Sequence, residues 1–363
     1  MIKNKIQLGV FASTVIALTL ARPATAQQAQ TALPTDAQVA LMSGPVSIAK
    51  QGSFFVGGHD MHSDTLSTLP NYAPSGTVTV DQMYVHYQIP AQARPISLTL
   101  IHGCCLTGKT WESTPDGRMG WDDYFVRKGF STYVIDQSDR GRSATSISAI
   151  NSVKLGKTEP STLPTVFAAG REAAWTIFRF GPEYPKIYSD MQFPIEAQGE
   201  FWKQMVPDWS ASLPTPNPTV PALSELAIRL GGTVLISHSQ SGIYPFQAAA
   251  LNTRDIAGIV AIEPAECPNA NADLSAYTRM PILVLFGDYV DLSPRWAPRL
   301  KGCRAFVEAA NKAGGKTQLV LLPELGMHGN THMLMQDRNN LHIADWLLSW
   351  IDTQIESSSA THP

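Results

Sequence analysis

Six short apolar runs punctuate the chain: Leu98–Ile101, Thr132–Ile135, Thr233–Ile236, Gly258–Ile262, Ile282–Phe286 and Leu319–Leu322. Stretches long enough for helices separate most of them, and this rhythm constrains the fold more than any other feature. Uninterrupted apolar runs suit strands covered on both faces, and such strands alternating with helices build a mostly parallel α/β sheet through right-handed crossovers. The clearest helix closes the series. Leu341, Ala344, Leu347, Leu348 and Ile351 recur at helical spacing, flanked by Trp346 and Trp350. Ahead of the rhythm, Phe54–Val56, Val78–Val80 and Met83–Tyr87 read as strands that pair antiparallel at a sheet edge.

One gap breaks the pattern. About 90 residues separate Ser143 from the strand at Thr233, far more than a crossover helix needs. The stretch is rich in aromatics, among them Trp175, Phe178, Phe180, Phe201 and Trp202, and turns proline-rich over Pro214–Pro221. A helical cap over about 145–228, between the fourth and fifth strand-like segments, is the expected use, because ligands bind at the carboxyl ends of strands in open α/β sheets. Trp175 and Phe201 are then expected to line the pocket, although aromatics can also pack a small core of the insertion's own.

The ends of the chain read differently. Residues 1–26 have the form of a secretory signal: Lys3 and Lys5, an apolar Leu8–Ala21, then Ala24-Thr25-Ala26 as the cleavage site. The apolar run falls short of the roughly 20 residues a membrane span wants. Secretion or export to the periplasm, without stable membrane insertion, is the expectation. A flexible arm over 27–52, a main domain over 53–355 and a disordered tail over 356–363 complete the layout. The composition, 44% hydrophobic and 16% charged with net charge −3, excludes a disordered chain, and its Lys and Arg form no basic stripe for nucleic acid.

Export favours disulfides among Cys104, Cys105, Cys267 and Cys303. Three pairings exist, and the simplest joins Cys104 to its neighbour Cys105 and Cys267 to Cys303. No metal is expected, since no Cys-x-x-Cys spacing occurs and His59-Asp60-Met61-His62 reads as a polar turn beside Gly57-Gly58.

The strongest chemical signal is Ile236-Ser237-His238-Ser239-Gln240-Ser241-Gly242, where a buried strand runs into small residues around a serine and then into helix-like Ile243–Leu251. This is the strand–turn–helix pattern of a nucleophile elbow, with Ser237 and Ser241 where glycines are usual. Small neighbours are needed because the turn is tight and lifts the serine hydroxyl above the sheet edge. His102-Gly103-Cys104 follows an earlier strand, where the Cys104 amide and the Gln240 amide after the nucleophile would serve as oxyanion donors. His328 and His332 lie in the loop after the last strand, and both are candidates for the base. For the acid, Glu263 ends the sixth strand and Asp291 follows the seventh. A carboxylate ending a buried strand needs a partner, and an imidazolium, an Arg or the backbone would each serve.

Several of these segments together resemble the bacterial secreted esterases typified by esterase 713. They are His102–Gly108 with its doubled cysteine, Trp111–Met119, Ser237–Gly242, Glu263-Pro264-x-Glu266-Cys267-Pro268 and Gly329-Asn330-x-His332-Met333. The resemblance covers roughly residues 50–355 and implies an α/β-hydrolase fold, cofactor-free carboxylic-ester hydrolysis of a small molecule, and a homodimer. It implies Ser239 as nucleophile, His332 as base, Glu263 as acid, and the bridges Cys104–Cys105 and Cys267–Cys303. The same machinery also serves amides, lactones and carbon–carbon bonds, and a non-catalytic binding protein can inherit it.

Overall fold

The computed structural model describes residues 44–356. The signal-like segment 1–26, the arm as far as residue 43 and the tail from residue 357 lie outside the described residues. Eight strands form one sheet: β1 (Ile48–Ser63), β2 (Gly76–Pro90), β3 (Ser97–Ile101), β4 (Ser131–Asp136), β5 (Thr233–His238), β6 (Ile256–Ile262), β7 (Pro281–Phe286) and β8 (Lys316–Leu321). Their order is β1-β2-β4-β3-β5-β6-β7-β8. The six central apolar runs are all strands, parallel to one another, while β1 pairs with β2 and β2 with β4 antiparallel.

The inner strands β3 to β7 are buried almost throughout because both faces are covered. Leu98, Leu100, Val234, Ile236, Val260, Ile262, Leu283 and Leu285 pack on one side, with Ile343 and Leu347 of the terminal helix. Their strand neighbours Ile101, Leu235, Ile259, Ala261 and Ile282 pack on the other side. This is the two-residue alternation of a pleated strand, with an apolar residue in each direction. Each fully buried Leu or Ile contributes about 1.5–3 kcal/mol.

The helices are α1 (Lys109–Glu112), α2 (Trp121–Arg127), α3 (Ser148–Lys154), α4 (Arg171–Ile177), α5 (Gln198–Lys203), α6 (Thr219–Leu230), α7 (Tyr244–Leu251), α8 (Ala297–Lys312) and α9 (Asn340–Ile351). None among the described residues is long and apolar enough to cross a membrane.

Three expectations from sequence need correction. The strand at the sheet edge starts at Ile48, inside the supposed arm 27–52, and runs through Gly57, Gly58 and the His59–His62 segment to Ser63. That segment is therefore strand and not a polar turn, and a separation of three places His59 and His62 on opposite faces. The cap is also shorter than 145–228. Helix α6 is a flanking helix of the sheet: Val220, Leu223 and Leu226 bury against Val56, Met83 and Val85. Finally, the insertion has no separate core. Trp175, Phe180, Phe193 and Phe201 join the same buried cluster as Leu98, Ile236 and Leu285.

Topology selects where a site can form. From β3 the chain steps to β4 on one side and later crosses to β5 on the other. The carboxyl ends of β3 and β5 therefore flank a topological switch point, where a crevice opens.

Candidate active site

Ser239 directly follows β5 and has a left-handed backbone, φ +58°. That conformation costs a residue with a side chain about 1–3 kcal/mol and persists only where packing enforces it. Here the hydroxyl of Ser241, at one of the positions where glycine is usual, bonds the backbone of His238 and the Ile101 carbonyl, which ties the turn to β3. At Gly242 a Cβ would come within 2.5 Å of Pro264, so glycine is required for the turn to approach the loop after β6.

The structure brings Ser239, His332 and Glu263 together. Ser239 Oγ lies 2.8 Å from His332 Nε2, and His332 Nδ1 lies 3.1 Å from Glu263 Oε2. His332 and Glu263 are fully buried. The Trp296 ring packs 4.2 Å from the imidazole centroid, and His238 Nε2 donates to the His332 carbonyl over 2.8 Å. Two other candidates stand apart. Asp291 is exposed, and so is His328, whose Nδ1 lies 3.7 Å from Asp288.

Burial pushes the His332 imidazole down to about 4, against the opposing pull of Glu263. Burial, the largest single influence, would raise the Glu263 carboxyl, but the Arg179 guanidinium and the His332 hydrogen bond together outweigh it and hold the group at about 2. Arg179 is the partner that sequence reasoning left unnamed. Its Nη1 donates to Glu263 Oε2 at 2.6 Å, its Nη2 donates to Oε1, and its Nε donates to the Asp288 carbonyl. Gly287 N–H donates to Glu263 as well. Of the partners weighed for this carboxylate, imidazole, Arg and backbone all engage it at once. The available signal was a charged residue inside Phe178-Arg179-Phe180, a run too apolar to sit at the surface.

The segment after β3 is held with equal care. A Cβ at Gly103 would come within 2.8 Å of Ser239 Cβ and 2.9 Å of the His238 carbonyl, so only glycine fits there. The Gly103 carbonyl accepts from Arg140 Nη1 at 3.0 Å and lies 2.9 Å from His102 Nδ1. Gln137 N–H donates to His102 Nε2, which leaves the proton on Nδ1 and makes it the donor to Gly103. In a planar trans peptide the carbonyl and the amide point in opposite directions. Fixing the Gly103 carbonyl therefore turns the Cys104 N–H away from these donors.

Arg140 is buried and pairs with Asp208 of the insertion at 2.7 Å, and Gln240 Nε2 donates to the same carboxylate. One network thus ties both candidate oxyanion residues, Cys104 and Gln240, to the cap. The sequence assigns neither Arg140 nor Asp208 a role, because the two lie 68 residues apart and meet only in the folded chain.

A disulfide joins Cys104 to Cys105, and a second joins Cys267 to Cys303 across 36 residues. The Cys105 carbonyl accepts from Val206 N–H of the insertion. A cavity of about 400 Å³ opens at Ser239, with Cys104, Gln240, Phe167, Phe178 and Trp296 in its wall. Neither Trp175 nor Phe201 lines it, contrary to expectation. Both lie within the shared core, and Trp175 Nε1 donates to the Lys186 carbonyl.

This arrangement has relatives. A solved structure described as that of a novel bacterial esterase is 65% identical, with a TM-score of 0.85, and the match covers 86% of this chain and 98% of that one. A protein of a fungal species (strain ATCC 74256), described as the probable secreted lipase phiG, is 25% identical over 319 residues, which is 75% of this chain and 86% of its own. No protein-family model matches the chain.

Proposed function

Because the chain belongs to the bacterial esterases of the α/β-hydrolase superfamily, and is thereby a carboxylic ester hydrolase, we propose that it works through Ser239, His332 and Glu263 by way of an acyl-enzyme. The observation that carries this reading is the hydrogen-bonded line from the Ser239 hydroxyl through both nitrogens of His332 to Glu263. His332 Nε2 takes the hydroxyl proton as Ser239 Oγ attacks the ester carbonyl. Glu263, kept ionised by Arg179, holds Nδ1–H and stabilises the imidazolium that forms. The amides of Cys104 and Gln240 receive the oxyanion, and losing one such donor typically costs about 10²–10³ in rate. His332 then protonates the departing alcohol, and water, activated by the same base, releases the acid from Ser239.

A phosphonate that mimics the tetrahedral intermediate provides the test. We expect one equivalent to attach to the intact protein and to map to Ser239 in the digest. An adduct on any other residue, or none, would remove Ser239 from the reaction.

The depressed imidazole has a visible consequence. The base must be neutral, and a group with a pKa of about 4 remains neutral throughout the range in which an ordinary histidine, near 6.5, becomes charged. The kcat/KM profile is therefore expected to stay level from pH 8 down to about 5 and to fall only as the pH passes about 4. An acid limb centred at 6.5 or above contradicts the assignment. The likeness to a probable secreted lipase, the signal-like residues 1–26 and two disulfides in one chain support export to an oxidising compartment.

A further inference from the structure

Arg295 and Arg299 share the wall of the Ser239 cavity, on either side of Trp296. Among the described residues neither guanidinium has an Asp or Glu within ion-pair distance, and the buried Nε of Arg299 has no hydrogen-bond partner. The Arg299 guanidinium is nonetheless held in place. Its Nη1 donates to the Arg295 carbonyl, and the group lies 5.3 Å from the Trp296 ring centroid.

The placement is electrostatically unfavourable on two counts. Arg295 precedes the N-cap of α8 and Arg299 lies in its first turn, and the two like charges oppose each other. They also sit at the N-terminal end of a 16-residue helix with no acidic residue in its first turn. That end carries the positive pole of the helix dipole, so it favours anions and disfavours cations. Burial and the neighbouring Arg295 both make the Arg299 charge harder to hold, and Glu266 eases it only from beyond contact distance. The carboxylate that also lines the cavity, Asp208, is already engaged by Arg140, Gln240 and Ser210. Two cations without a carboxylate partner, Arg299 half-buried and Arg295 at the exposed rim, thus share the cavity wall with Ser239 beside a helix pole.

We propose that the substrate of this site is an ester bearing a carboxylate, which Arg295 and Arg299 receive at the cavity wall. This rests on the reading of Ser239 as the nucleophile of an ester hydrolase and adds the chemical class of ester. A planar carboxylate matches the guanidinium fork, and the Trp296 face beside it lowers the local polarity, which strengthens the attraction.

The test compares kcat/KM for three near-isosteric esters in a pH-stat: propyl pentanoate, monopropyl glutarate, and the pentanoyl ester of 3-hydroxypropanoate. The second carries its carboxylate on the acyl side and the third on the alcohol side. At least one anionic ester is expected to be preferred by about tenfold or more at low salt, with the preference shrinking as salt screens it. In Arg295→Gln/Arg299→Gln the ratio of anionic to neutral ester is expected to fall toward one. The wild-type ratio and its salt dependence stand even if the double variant fails to fold. A wild type that hydrolyses the neutral ester equally well, or a preference that survives in the double variant, overturns the proposal and leaves ester hydrolysis intact. If no ester in the set is turned over faster than by Ser239→Ala, the reading of Ser239 fails too, and the proposal with it.

Discussion

Ser239→Ala is expected to lower kcat on a reactive nitrophenyl ester by about a millionfold while KM changes within a few-fold. The substitution removes the atom that attacks, and no neighbour replaces it. Triad members act as a unit, and loss of the nucleophile alone has an effect of that order in the best-measured serine hydrolases. A residual acceleration of about 10³–10⁴ over water should persist, because the oxyanion donors and the cavity are untouched. The fold has little reason to respond: alanine meets the same backbone cost at φ +58° as serine, and only one hydroxyl bond, to His332, is lost. Initial rates across a short-to-long acyl series, with an unchanged thermal midpoint as the control, provide the measurement. A variant retaining more than about 1% of wild-type kcat would place the nucleophile elsewhere.

Arg179→Met should cost about 3–5 kcal/mol of stability, because it leaves the fully buried Glu263 carboxylate without its bidentate cation. The pH dependence gives a sharper signature than the midpoint. In the wild type the folded carboxyl is held at about 2, below its ordinary 4.5, so its contribution is present above pH 4.5 and lost as the pH falls toward 2. Without Arg179, burial dominates and lifts the folded pKa above the unfolded one. The contribution then reverses: the variant loses stability as the pH rises past 4.5. Urea unfolding at several pH values between 3 and 8 decides it. A variant as stable as wild type at pH 7, with an unchanged slope, would mean that the ion pair merely offsets its own desolvation.

Much of this was legible in the residues, for identifiable reasons. The central strands announce themselves because burial on both faces leaves little choice but apolar side chains, and the elbow does because its turn admits only small neighbours. Glu263 was legible as a carboxylate in need of a partner, since it ends an apolar strand. The partner was not, because Arg179 lies 84 residues away and reaches Glu263 only after the insertion has folded. The Arg140–Asp208–Gln240 network escaped for the same reason. The wall of the cavity was misjudged because aromatic residues mark burial without saying against what. Trp175 and Phe201 bury into the common core, whereas Phe167 and Phe178 face the cavity. The edge strand ran longer than expected because Gly57 and Gly58, both at positive φ, look like a break, yet Gly57 pairs with Gln82 and the ladder resumes at His59 opposite Val80.

The insertion and the sheet are not separable parts. Arg179 clamps Glu263, Asp208 clamps Arg140, Val206 holds the Cys105 carbonyl, and the insertion's aromatics share one hydrophobic cluster with the strands. A hinged lid can be exchanged between relatives to change what an enzyme accepts, because its removal leaves the chemistry standing. Here, grafting a foreign segment would discard the counter-ion of Glu263 along with the roof. New specificity in this lineage is therefore expected to arise by point changes around the rim, at positions such as Phe167, Arg295 and Arg299, rather than by recombination of whole caps.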